Sequence, residues 1–144
     1  MRRGGALALC LLALTGCARR STSPPGLRQL AAGPPSIYTS IRVSVGPQSA
    51  DVPAELQKSL APLLITRRLG APRNPAIFGL DRPQARLSYA PKNGPSFEVL
   101  VGSLNFDRHF LYAQRPQANV VFLVPADTLR PVLALAGLEL PPPG

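Results

Sequence analysis

The sequence predicts an α+β domain in which an antiparallel sheet of about five strands carries two short helices on one face. Apolar residues alternate with polar ones in five segments, the period of half-buried strands. Two other segments place apolar residues three and four positions apart, the period of an amphipathic helix. The 18 prolines among 144 residues argue against long helices. A hydrophobic share of 45% and a charged share of 16% predict a packed core.

The first strand and the first helix are predicted in the N-terminal half of the domain. Apolar and polar residues alternate over residues 37–45, which predicts a strand. We expect Asp51 to cap the following helix, and Pro62 should kink that helix or end it. Residues 68–76 are rich in glycine and proline, and we interpret them as a segment without regular structure.

The second half predicts an antiparallel meander followed by a helix. Its four strands cover residues 85–89, 97–101, 110–113 and 120–124. Asn93-Gly94 is typical of a hairpin turn between the first two. The final helix opens at Pro125 and runs through Leu135, with Gly137 as its stop. Alternation predicts that a set of apolar side chains faces the core: Ile41, Val43, Leu87, Val99, Val101, Tyr112 and Phe122.

Residues 1–16 have the pattern of a signal peptide. Arg2 and Arg3 precede a short apolar run over residues 6–14. The sequence Leu14-Thr15-Gly16-Cys17 then resembles the lipobox of bacterial lipoproteins. This resemblance implies cleavage between Gly16 and Cys17, and attachment to a membrane through acyl chains on Cys17. The alternative is an ordinary secretory signal that is cleaved elsewhere and leaves Cys17 as an unpaired thiol.

Composition divides the remaining chain into three parts. Residues 17–36 are rich in Pro, Ser and Arg, which predicts a flexible tether. Residues 37–136 form the predicted α+β domain, and residues 137–144 form a proline-rich tail. No disulfide is expected, because Cys10 leaves with the signal peptide. The anchor predicts a place in the cell envelope, on the outside of the cytoplasmic membrane or on the outer membrane.

The charge and the side-chain inventory exclude several functions at this stage. The formal net charge is +9, from 16 basic and 7 acidic residues. These charges form no stripe, and the aromatic residues occupy apolar strand positions, so we expect no nucleic-acid binding. The best polar cluster is Asn105, Asp107, Arg108 and His109, but His109 is the one histidine of the chain. Catalysis and metal binding need more partners than this. We therefore predict no catalytic residue, no metal and no cofactor.

Four short motifs carry a resemblance to a known family. They are Phe78-Gly79-Leu80-Asp81-Arg82-Pro83, Leu100-Val101-Gly102, Phe110-Leu111-Tyr112-Ala113 and Val120-Val121-Phe122-Leu123-Val124, the last before a closing helix. In this order they resemble the bacterial domain of unknown function 4340, over about residues 51 to 136. The chain departs from that family in lacking Trp and in having room for a single module. The resemblance implies a fold and an envelope setting, and it transfers no catalytic residue.

Two classes of function agree with these observations. The preferred one is a lipid-anchored, non-catalytic binding or assembly factor with an envelope protein as partner, serving a transport or surface complex. A lipoprotein of the lipopolysaccharide-assembly type is the second candidate within that class. The other class is a periplasmic carrier or sensor of a small apolar or anionic ligand, which would lie between the sheet and the helices. An enzyme is the least favoured hypothesis.

Overall fold

The computed structural model describes residues 29–116 and 118–143. This part of the chain contains nine strands and two α-helices. In chain order they are β1 Gln29–Ala31, β2 Tyr38–Val45, β3 Gln48–Asp51, α1 Ala54–Leu60, β4 Leu63–Leu64, β5 Arg67–Gly70, β6 Ala85–Pro91, β7 Phe97–Leu104, β8 Phe110–Gln114, β9 Val121–Pro125 and α2 Ala126–Leu135. Two short 3-10 helices lie at Pro35–Ile37 and Pro75–Phe78.

Seven of the strands form one antiparallel sheet in the order β3-β2-β6-β7-β8-β9-β5. The predicted α+β class is confirmed, and β6 to β9 form the predicted meander. The strand number is larger than the expected five, because β3 and β5 flank the sheet and β1 pairs with β4 in a separate two-stranded sheet. The edge strands were missed for a physical reason. Their sequences, QSAD and RRLG, pack little apolar surface and therefore show no apolar alternation.

The main core lies on one face of the seven-stranded sheet, beneath both helices. Leu60 of α1 and Leu129 of α2 belong to the same buried cluster as the inward side chains of the sheet. Six of the seven side chains predicted to face the core are buried there: Ile41, Val43, Leu87, Val99, Val101 and Phe122. Tyr112 is the exception. Its neighbours Leu111 and Ala113 are buried in the core, so the two-residue period turns Tyr112 to the opposite face.

The opposite face is covered in part by the segment around Phe78. The ring of Phe78 lies 4.7 Å from that of Tyr112. Gly102 sits at a bulge, where the register of β7 against β8 shifts between Val101 and Leu104. A Cβ atom at Gly102 would collide with the carbonyl oxygen of Phe78. The glycine thus allows the Phe78 backbone to lie directly on β7, and Leu80 is buried beside it.

The first helix differs from its prediction at its N-terminal end. Asp51 is part of β3 and forms an ion pair with Arg42, 3.0 Å from Oδ1 to Nε. The prediction that Asp51 caps the helix is therefore wrong, and Pro53 occupies the N-cap position instead. Pro62 does end the helix as expected, since α1 stops at Leu60 and the chain continues as a strand.

The folded part extends beyond the predicted boundaries of the domain. Strand β1 falls within residues 17–36, and its Leu30 and Ala31 are buried in the core. Leu140 is buried beyond residue 136. A few apolar residues are enough to pack a proline-rich segment against the core. The overall composition of such a segment does not reveal these few residues. The signal peptide, the Gly16-Cys17 junction and residues 18–28 lie outside the described residues. No helix within the described ranges is long and apolar enough to cross a membrane.

Candidate functional site

The predicted polar cluster lies in the loop that joins β7 to β8, residues 105–109. The backbone N–H of Asn105 donates to the carbonyl of Phe110 at 2.9 Å. In return, the N–H of Phe110 donates to the Asn105 side chain, Oδ1, at 3.1 Å. This exchange closes the loop at its base. We call residues 105–109 the β7–β8 loop.

Further hydrogen bonds fix the inside of this loop. The N–H of Arg108 donates to the Asn105 carbonyl at 3.1 Å, which makes a tight turn. Oδ1 of Asp107 accepts from the backbone N–H of His109 at 3.0 Å. The carbonyl of His109 accepts from the N–H of Ala126 at 2.8 Å and so ties the loop to the start of α2. Arg108 has a φ of 62°, a left-handed conformation that is uncommon outside glycine.

These bonds account for the polar residues of the loop. The side chains of Asn105 and Asp107 accept from backbone groups, as these residue types do in turns. The Asp107 carboxylate bonds the backbone of His109 and not its imidazole. No group of three or more His, Cys, Asp and Glu side chains suited to a metal ion occurs in the part of the chain that the structure describes. The cluster is a loop scaffold.

The β7–β8 loop exposes the side chain of Phe106. Its side chain is 96% exposed, the most exposed large apolar residue among those described. The expectation that the aromatic residues occupy strand positions is wrong here, since Phe106 lies in the loop. A signal was present in the sequence. Phe106 lies between Asn105 and Asp107, two turn-forming residues, and this position indicates a loop and not a strand.

Two surface cavities bear on the carrier hypothesis. The larger, of about 400 Å³, is lined by residues of α2 and the C-terminal segment: Asp127, Arg130, Pro131, Ala134, Glu139 and Leu140. Asp127, Pro131 and Ala134 are exposed, so this cavity lies on the outward side of the helix. A second, of about 290 Å³, lies between Gly46, at the end of β2, and the start of β6. Neither is the space between sheet and helices that a carrier would use.

Arg130, in the larger cavity, is engaged by the protein itself. Its Nη1 donates to the carbonyls of Leu140 at 2.7 Å and Pro141 at 3.2 Å. Its Nε lies 3.5 Å from Oδ1 of Asp127. Through Nη1 and Nε the guanidinium group therefore holds the C-terminal segment against α2, while its buried Nη2 has no hydrogen-bond partner among the described residues.

An aromatic cluster joins the sheet to the segments on its core face. The Tyr89 hydroxyl donates to the Leu60 carbonyl at 2.9 Å, and the Tyr38 hydroxyl donates to the Ala32 carbonyl at 2.7 Å. Phe97 stacks on Tyr89 with ring centroids 4.9 Å apart. Burial raises the pKa of Tyr89 and of Tyr38 above the usual value. Both hydroxyls thus stay protonated at neutral pH, as structural donors.

Comparisons with known proteins identified no relative of this chain. A scan against protein-family models, a search of curated proteins and a search of solved structures found no match. The resemblance to the domain of unknown function 4340 thus remains a prediction from four motifs. Two of those motifs meet in space, because the Phe78 backbone packs on Gly102, and this contact gives them a structural reason.

Proposed function

We propose that this protein is a lipid-anchored component of the cell envelope that binds another envelope protein through the β7–β8 loop and has no catalytic activity of its own. The lipobox at Cys17 supports the anchor. The exposure of Phe106 on a fixed loop supports the binding role, and this is the observation on which the proposal depends.

A fixed loop makes an exposed phenylalanine effective in binding. An aromatic side chain buries about 150–250 Å² when it enters a pocket on a partner. The loop is already closed by the bonds between Asn105 and Phe110, so little backbone freedom is lost on association. Arg108 and His109 are exposed beside it. An apolar centre with polar neighbours is the usual anatomy of an interface.

Photo-crosslinking in cells tests the proposal. A photoreactive amino acid replaces Phe106 in the anchored protein and, in a matched control, Ile77, which is 70% exposed in a 3-10 helix. We expect position 106 to give a discrete crosslinked protein, and position 77 to give none. The same crosslink should disappear when Asn105→Ala and Asp107→Ala loosen the loop.

Two results would oppose the binding role, and a third would oppose the absence of catalytic activity. One is an anchored and folded protein that yields no discrete crosslink from position 106. The other is a purified protein that retains a small molecule and no protein partner, which would favour the carrier hypothesis. A cellular phenotype lost on His109→Ala, with crosslinking intact, would point to chemistry at this loop.

A further inference from the structure

A second exposed surface lies on β4 and on the edge strand β5. It consists of Leu64, Thr66, Arg67, Arg68 and Leu69, and we call it the β4–β5 surface. Leu64 is 56% exposed and Leu69 is 37% exposed. Arg67 and Arg68 are both exposed. Consecutive strand residues point to opposite faces of a sheet. Because β5 is an edge strand, the side chains of Arg67 and Arg68 are nevertheless both accessible.

This surface is basic. No acidic residue occurs in the sequence between Glu55 and Asp81, whereas four basic residues do: Lys58, Arg67, Arg68 and Arg73. Each ion pair between described side chains, Arg42 with Asp51, Arg86 with Glu98 and Arg130 with Asp127, lies elsewhere. The two arginines of β5 are thus available to an external anion, and a guanidinium group binds phosphate oxygens well.

The chain enters the described domain next to this surface. Gln29, the first described residue, pairs with Leu64 across the two-stranded sheet. Cys17 lies 12 positions before Gln29. Even a fully extended chain of that length spans at most about 40 Å. An acylated Cys17 therefore keeps Gln29, and with it Leu64, within that distance of the bilayer.

We infer that the β4–β5 surface rests on the anionic headgroups of the membrane that holds the acyl chains. This inference rests on the proposed lipid anchor and adds an orientation to it. Arg67 and Arg68 contact lipid phosphates, and Leu64 enters the interfacial region as exposed apolar side chains of peripheral proteins do. The acyl chains supply the affinity, while the two arginines select which side of the domain faces the lipid.

Fluorescence quenching on vesicles tests this orientation. After processing, the acylated Cys17 is the one remaining cysteine, so a single new cysteine can be labelled. The variants are Leu64→Cys and, as control, Ser49→Cys on β3, which is exposed at the opposite edge of the sheet. Each acylated full-length protein carries an environment-sensitive dye and is reconstituted into vesicles of phosphatidylethanolamine and phosphatidylglycerol with nitroxide-labelled lipid.

We expect strong quenching at position 64 and weak quenching at position 49. Each basic residue near an anionic surface contributes roughly fivefold in binding. Arg67→Glu with Arg68→Glu removes two such residues and adds repulsion, so it should lower the equilibrium constant for the membrane-facing orientation by at least roughly 30-fold. Phosphatidylcholine vesicles and high salt should reduce it as well, because the attraction is electrostatic. Co-flotation with the vesicles should persist in every case.

The outcomes separate the two proposals. Equal quenching at positions 64 and 49 in a protein that co-floats overturns the orientation alone. Failure of the wild-type protein to co-float overturns the anchor and the orientation together. Quenching at position 64 that survives Arg67→Glu with Arg68→Glu overturns the role of the arginines. A discrete protein crosslink from position 64 in cells would replace the membrane by a protein partner at this surface.

Discussion

The hydroxyl of Tyr89 is buried and bonds the carbonyl of Leu60, where α1 ends. Tyr89→Phe leaves that carbonyl without its donor in an apolar setting, so we expect the free energy of unfolding to fall by about 1–3 kcal/mol. Urea unfolding of the mature chain carrying Cys17→Ser measures this. Tyr112→Phe is the control, because Tyr112 is partly exposed and its hydroxyl forms no hydrogen bond with a described residue. A loss as large in the control would contradict the explanation.

The same tyrosine predicts how stability depends on pH. The pKa of folded Tyr89 lies above the ordinary tyrosine value of 10.0, because burial disfavours the phenolate. Its contribution is therefore complete below pH 10 and is lost as the pH rises above 10, since the unfolded state then releases a proton that the folded state retains. Unfolding curves at rising alkaline pH should show a decline that is smaller in Tyr89→Phe. A stability that rises above pH 10 would contradict this sign.

Gly102 is a position where one methyl group matters. Gly102→Ala places a Cβ against the Phe78 carbonyl, which belongs to backbone and cannot rotate away. Overpacking of this kind costs about 1–3 kcal/mol. We expect a lower melting temperature, together with weaker packing of Phe78 on Tyr112 in the aromatic proton spectrum. Ser88→Ala, in β6, is the control and should change stability by less than about 0.5 kcal/mol.

At the scale of elements, the β7–β8 loop holds Arg108 in a strained conformation. Glycine adopts a φ of 62° without steric cost, whereas other residues lose about 1–2 kcal/mol there. The greater entropy of glycine in the unfolded state offsets part of this gain, so we expect Arg108→Gly to raise stability by no more than about 1 kcal/mol. Gly79→Ala should act in the opposite direction, since its φ is 69° and its Cβ would lie 2.8 Å from the Ser103 nitrogen. Thermal unfolding of both variants provides the comparison.

The elements that the sequence predicted are those that bury one face. Strands β6 to β9 and helix α2 have clear apolar periods, because their alternate residues enter the core. Strand β3 carries two exposed polar residues, Gln48 and Ser49, and pairs through its backbone. Backbone pairing leaves no trace in side-chain periodicity. Edge strands are therefore hard to predict from one sequence, however regular they are.

The sequence identifies residues 105–109 as the best polar cluster of the chain but predicts no binding or catalytic role for them. The polar residues of 105–109 identified the loop correctly, yet their own hydrogen bonds occupy them. The feature that suggests binding, the exposure of Phe106, depends on where the loop leaves the sheet. Exposure of a single apolar residue is a property of the fold, and periodicity contains no information on it.

At the scale of the whole molecule, the proposed lipid anchor would determine where the protein acts. We expect the mature N-terminus to be an acylated Cys17, because a lipobox cysteine becomes the first residue after cleavage. Intact-mass and peptide mass spectrometry of the membrane fraction test this directly. Cys17→Ser should move the protein from the membrane to the soluble fraction with its fold unchanged. An unmodified N-terminus at another residue would refute the prediction.

The two edges of the main sheet are close in sequence and far apart in space. Residues 52–66 connect β3 to β5, while six strand spacings of about 4.8 Å place these edges about 29 Å apart. The connection, with α1 and β4, therefore crosses the core face. Within the sheet β5 pairs with β9 alone, which lies about 50 residues further along the chain, so this pairing carries a high cost of loop closure. We expect β5 to fold last and to open first, and its amide hydrogens should exchange with solvent before those of β7. The surface assigned to the membrane would then be the least protected part of the sheet.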